Sequence, residues 1–154
     1  MYATLVVFHV LAAAVWIGGT VALVFAGIPT LRLLPPAQRA DSVRQLGRRW
    51  KPIGWGSLLV LLASGVWLAF GYWGAGDPDV LFETETGHLL IAKASLFVSL
   101  LASAALHDFV LGPRLNRQIR EGLPRTLLRP MQLAGWWSFA VTLTLPILGV
   151  VLTT

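Results

Sequence analysis

The chain has 154 residues, 56% of them hydrophobic and only 12% charged, with a formal net charge of +5 and no cysteine. So few charges cannot solvate a globular surface around that much apolar area, which excludes an ordinary water-soluble domain and makes lipid the solvent for most of the chain. The lack of cysteine excludes disulfides, thiolate metal sites and dithiol redox chemistry, so any redox role has to use a bound cofactor.

A helix needs about 20 mostly apolar residues to cross a bilayer. Four stretches qualify: Ala3–Leu31, Pro52–Trp73, Gly87–Leu111 and Met131–Leu152. The predicted fold is therefore an all-α membrane protein, one domain of four transmembrane helices arranged as two hairpins in an antiparallel bundle. The first span lacks a basic leader and is far longer than the about 7–15 apolar residues of a signal peptide, so it is expected to be retained. Along it, His9, Ala13, Trp16 and Thr20 recur at helical spacing and make one small, polar face suited to close packing or to a flat ligand.

Arg32–Lys51 follows, with Pro35, Pro36 and then a stretch in which Ala40, Val43 and Leu46 alternate with Arg and Gln. It reads equally as an amphipathic helix lying on anionic head groups and as a plain charged loop. Trp50 and Trp55 at one end of the second span, Tyr72 and Trp73 at its other end, and Trp136 and Trp137 in the fourth span suit interfacial aromatic belts. The next loop carries Asp77, Asp79, Glu83 and Glu85 and no basic residue.

The third span opens at His88, contains Lys93 and ends near His107 and Asp108. His88, Ala92, Ser95, Ser99 and Ala102 form its small-residue stripe, the expected bundle-facing side, from which Lys93 is displaced by roughly 140°. Pro29 and Pro113 mark kinks or ends of the first and third spans, and Pro146 lies inside the fourth. Eleven of the twelve basic residues lie in the loops joining spans one to two and three to four. The positive-inside rule then places those loops in the cytoplasm, and both termini and the acidic loop outside, in an inner or plasma membrane of bacterial type. Because the charge is sorted by loop, it marks topology and not a nucleic-acid partner.

The second half echoes the first at an offset of 81 to 84. Gly54-Trp55-Gly56-Ser57 resembles Gly135-Trp136-Trp137-Ser138, Pro29 maps to Pro113, Gly65 to Gly149 and His9 to Lys93. Two hairpin repeats, 1–73 and 87–154, are expected.

Ionisable residues inside a span are functional candidates by default. His9 lies about 9 Å into its span and Lys93 about 8 Å beyond His88, so His9 and Lys93 are level, whereas His107 is about 28 Å from His88, at the other side. An inward histidine with a second nitrogen donor at its depth suits axial ligation of haem b, with His9 as one ligand, His88 or Lys93 as the other and Trp16 nearby. The expected role is then redox or gas handling: electron transfer, or oxidation of a porphyrinogen or quinol-like substrate. Copper is the alternative cofactor, in a copper-binding or copper-transport protein. Cu(I) favours sulfur, and Met1 and Met131 fall on opposite sides, but His9, His88 and the terminal amine suit Cu(II). A third alternative is a non-catalytic subunit of a membrane complex, and the small residues of spans one and three suit a homodimer.

The run Phe8-His9-Val10-Leu11-Ala12-Ala13-Ala14-Val15-Trp16-Ile17-Gly18-Gly19 resembles the opening helix of copper-resistance-D-like membrane proteins and of the related bacterial four-helix protoporphyrinogen oxidases. Ile91-Ala92-Lys93-Ala94 and His107-Asp108-Phe109-Val110-Leu111-Gly112-Pro113-Arg114-Leu115 are similar to the same group. The resemblance implies a four-helix membrane protein that binds haem b, with His9 and Lys93 at the positions of the oxidases' functional histidine and lysine, and an oxidoreductase of that type. The oxidases' polar residues near spans two and four have no match here, so the resemblance is closer to the copper-resistance-D-like group.

Overall fold

In a computed structural model, which describes residues 2–121, 124 and 126–152, the secondary structure is all helical, with no strand among the described residues. Helix α1 runs Tyr2–Arg32, α2 Pro36–Gly71, α3 Pro78–Glu83, α4 residues 85–120 and α5 Leu128–Val151. In hydrocarbon no water is present to satisfy backbone N–H and C=O groups, so an apolar run is stable only as a helix that bonds its own backbone. Four helices, all but α3, are long and apolar enough to cross a membrane. The protein is a multi-pass membrane protein. Phe8, Phe25, Leu59, Phe70, Val98, Phe109 and Ile147 are accordingly exposed, as lipid-facing side chains should be.

The chain divides into two compact units, Met1–Gly74 and Ala75–Thr154. The first is an antiparallel hairpin of α1 and α2. Its interface uses small residues because lipid supplies no hydrophobic drive to bring helices together, and contact depends on close approach and polar bonds. Trp50 of α2 packs against Gly19 of α1, where a Cβ would collide with its ring at Cη2 and Cζ3. Leu46 packs on Gly27, with Leu46 Cδ2 3.3 Å from where a Cβ would stand. Gly54, Ser57, Leu58, Leu61 and Ser64 of α2 and Trp16 of α1 are the buried residues of this hairpin among the described residues. The Arg39 Nη2 group donates to the carbonyls of Arg32 (2.7 Å) and Leu34 (3.0 Å), placing a cation on the C-terminal end of α1.

The second unit packs α4 antiparallel to α5, with α3 against the start of α4. Thr84 caps α4: its Oγ1 accepts from the Gly87 N–H at 3.0 Å and donates to the Val80 carbonyl at 2.6 Å. Gly87 is required there, because a Cβ would collide with the backbone of Val80 and Leu81. Further along, Ser103 Oγ donates to the Ala134 carbonyl and accepts from Ser138 Oγ, both at 2.9 Å. Leu100, Ala104, Val141 and Thr142 are buried around this contact.

Three expectations are corrected. Residues 36–51 are neither a loop nor a separate helix on the surface: α2 is continuous from Pro36 through Pro52 into the span. The side chain of Ala40, one of its expected apolar positions, lies outside the described residues, as does Arg125. The small-residue stripe of α4 does not face its partner helix, since His88, Ala92, Ser95 and Ala102 are exposed; α5 is met by Ser99, Leu100, Ser103 and Ala104. Finally, α1 and α4 do not simply end near Pro29 and Pro113 but pass through π-helical turns, Leu23–Gly27 and Leu106–Leu111, each closing two residues before the proline. A proline ring clashes with the carbonyl four residues back, and a widened turn relieves that clash without breaking the helix.

Candidate functional site

His9 projects from α1 toward α2 and is half-buried. Its Nδ1 lies 2.8 Å from Ser64 Oγ, and Ser64 Oγ lies 2.5 Å from the carbonyl of Val60, one turn earlier on α2. A serine hydroxyl has a single proton, and here it is directed to the Val60 carbonyl, so Ser64 accepts from His9. The network thereby assigns the His9 proton to Nδ1 and the ring's lone pair to Nε2. Gly65 lies against the ring: a Cβ at that position would stand in ordinary van der Waals contact with it, 3.5 Å from His9 Cε1. Beside the pair, Thr4, Leu5, Phe8, Val60, Ala63, Ser64 and Trp67 line an open, mainly apolar groove of about 530 Å³.

Trp16 does not stand free to flank a cofactor. It is 9% exposed, its ring centroid is 6.1 Å from that of Trp50, and a Cβ at Gly54 would lie 3.1 Å from its Cζ3. Its bulk fills the α1–α2 interface about two turns along α1 from His9, so it packs the hairpin.

The second hairpin holds the other candidates and separates them. His88 is exposed and its Nε2–H donates to the Phe82 carbonyl of α3 at 2.9 Å. Lys93 turns the other way, toward α5, where its Nζ lies 3.2 Å from the Cβ position of Gly149. Five residues on a helix rotate a side chain by roughly 140°, and here that rotation sends the two nitrogens to different helices. His107 Nδ1 lies 2.9 Å from Asp108 Oδ1 within the π-helical turn of α4. The terminal amine lies outside the described residues.

The donor set can be tested against the two cofactors. One imidazole oriented by Ser64 is a sound metal ligand, since ligating histidines hold their second ring nitrogen in a hydrogen bond. Among the described residues no group of three His, Cys, Asp or Glu side chains gathers to close a cage. The residues fit a single-donor contact with a metal ion, not an enclosed centre. Ser64 itself escapes detection from sequence, because its relation to His9 depends on the register of the hairpin.

The two glycine-floored niches are equivalent in spacing: Lys93 follows His9, and Gly149 follows Gly65, by the same 84 positions. The Gly19–Trp50 and Ser103–Ala134 contacts recur at that interval, as do the buried pairs Ser57–Leu58 and Val141–Thr142.

The profile of the family described as Copper resistance protein D matches residues 44–153, which takes in α2 from Arg44 onward, α3 to α5 and Ser64 but not His9. The copper transport protein CutJ of Bacillus subtilis (strain 168) is 34% identical over 119 residues, covering 77% of this chain. The chain spans about one fifth of the length of that relative, 20%. No solved structure matches the chain. The names of both concern copper.

Proposed function

This chain belongs to the copper resistance protein D family, and from that premise we propose that it handles copper in the membrane, with His9 as a contact for the ion in transit. The observation that carries this reading is the His9–Ser64 hydrogen bond at 2.8 Å, which leaves the imidazole lone pair on Nε2, the form that binds copper. A single donor on an apolar hairpin holds an ion weakly enough to release it, which suits cargo better than a resident cofactor.

The haem reading gives way to its copper alternative. It called for a second axial nitrogen, yet His88 is engaged with the Phe82 carbonyl and Lys93 is directed at Gly149. The charge pattern supports an orientation with the arginine-rich ends in the cytoplasm and His9 in the outer half, so copper would meet His9 from outside. The recurrence at 84 positions supports an origin of the two hairpins from one unit, with His9 and Lys93 in the same niche.

The test is equilibrium copper binding by the detergent-purified chain against a competing chelator. Wild type should bind copper, and His9→Ala should lose that binding while keeping its helical circular dichroism. Equal binding by the two proteins would overturn the role of His9. A Soret band in the wild-type visible spectrum that disappears in His9→Ala would restore haem.

A further inference from the structure

Because α2 is continuous from Pro36 through Pro52 to Gly71, its basic segment extends a membrane span without a break in the helix. Three contacts fix its rotation against α1: Arg39 on the Arg32 and Leu34 carbonyls, Leu46 on Gly27, and Trp50 on Gly19. At about 100° per residue, these side chains fall within a sector of roughly 40°. Arg44 and Arg48 then lie about 160° from Leu46 on either side, one turn apart, on the face directed away from α1.

Both are exposed. Arg44 makes one ion pair, with Asp41 at 3.4 Å, between side chains 55% and 72% exposed. Such a pair contributes little. Arg48 has no side-chain partner among the described residues. Along the helix axis Arg48 precedes the apolar run that begins at Ile53 by about 7.5 Å and Arg44 by about 13.5 Å, from a rise of about 1.5 Å per residue. The head-group layer is about 5–8 Å deep on each side of the hydrocarbon, so Arg48 stands at its depth and Arg44 about 5 Å beyond it, within the length of a flexible arginine stem. The two guanidinium groups therefore reach the depth of lipid phosphates, whose oxygens their paired N–H groups match.

From this geometry we propose that Arg44 and Arg48 form a binding site for the phosphate of an anionic phospholipid at the basic end of α2. Arg39, at the same end, is spent on capping α1 and is not part of it. The site is independent of copper.

The test titrates phosphatidylglycerol into phosphatidylcholine nanodiscs carrying the full chain and reads the apparent affinity from the thermal-unfolding midpoint. At about 1 kcal/mol for each basic residue near the surface, Arg44→Gln and Arg48→Gln should each weaken the preference for phosphatidylglycerol roughly 5-fold, and the double variant about 30-fold. Arg39→Gln should lower the midpoint equally in both lipids and leave the preference intact. An unchanged preference in the double variant overturns the site. So does an equal rise in midpoint when inorganic phosphate is added to phosphatidylcholine nanodiscs alone, because a free ion would then suffice.

Discussion

His9 of α1 donates from Nδ1 to the Ser64 hydroxyl of α2 at 2.8 Å, and Ser64 is in turn tied to the Val60 carbonyl. Imidazole orientation and tautomer are thus set by a residue 55 positions away. Removing the oriented partner of a ligating histidine typically costs about 10–100-fold in metal affinity. Ser64→Ala should therefore weaken copper binding by that order in a chelator competition. Its effect on stability should be small, about 0.6 kcal/mol, the average for a side-chain hydrogen bond between membrane helices. A Ser64→Ala protein with wild-type copper affinity would break the link between this bond and the site.

Gly18 and Gly19 are neighbours with opposite surroundings. A Cβ at Gly18 meets nothing within 4 Å, whereas at Gly19 it would enter the Trp50 ring. Gly18→Ala should be neutral or stabilising by up to about 1 kcal/mol through helix propensity. Gly19→Ala should destabilise by about 1–3 kcal/mol as the Trp50 ring is displaced. Unfolding in mixed micelles checks both.

A parallel contrast lies in the second hairpin. At Gly149 the atom met is the Lys93 ammonium at 3.2 Å, the tip of a flexible chain, while at Gly87 it is backbone of α3. Gly149→Ala should therefore be tolerated, and Gly87→Ala should detach α3 and lower the unfolding midpoint by more. The same melting measurement in mixed micelles ranks the two.

Ser103 both donates to the Ala134 carbonyl and accepts from Ser138. Ser103→Ala should weaken the α4–α5 contact by about 1 kcal/mol, from two bonds of about 0.6 kcal/mol each. Ser95→Ala, at an exposed position of the expected stripe, should change stability by less than about 0.5 kcal/mol. If Ser95 proves the costlier change, the face of α4 that meets α5 has been misassigned.

Much of the fold was legible before any coordinates. The four spans match the helices to within a few residues at most ends, the large exceptions being the start of α2 at Pro36 and the end of α4 at Arg120, both hidden because arginines mask a helix that leaves the bilayer. His9 was expected to point inward, and it faces Ser64 and Gly65. The stripe on α4 misled, since small residues were read as the contact side while Lys93 and Leu100 lie on the face that meets α5. The spacing of Trp16 from His9 suits a cofactor neighbour, but a shared face does not tell a ligand from a partner helix. The GWGS and GWWS motifs suggested an offset of 81 in the second span, while the contacts and buried pairs recur at 84.

Sequence alone determined that the chain lives in lipid, how many times it crosses and where its basic charge collects, because an apolar run of about 20 residues and a charge count need no knowledge of what touches what. Tertiary structure decided which helix faces meet, that Ser64 orients His9, that Trp16 is packing and that His88 and Lys93 diverge. In a soluble helix the apolar stripe marks the buried face. In a membrane both faces are apolar, so the contact face is carried by a few small and polar residues, and which of them meet depends on the register of two antiparallel helices.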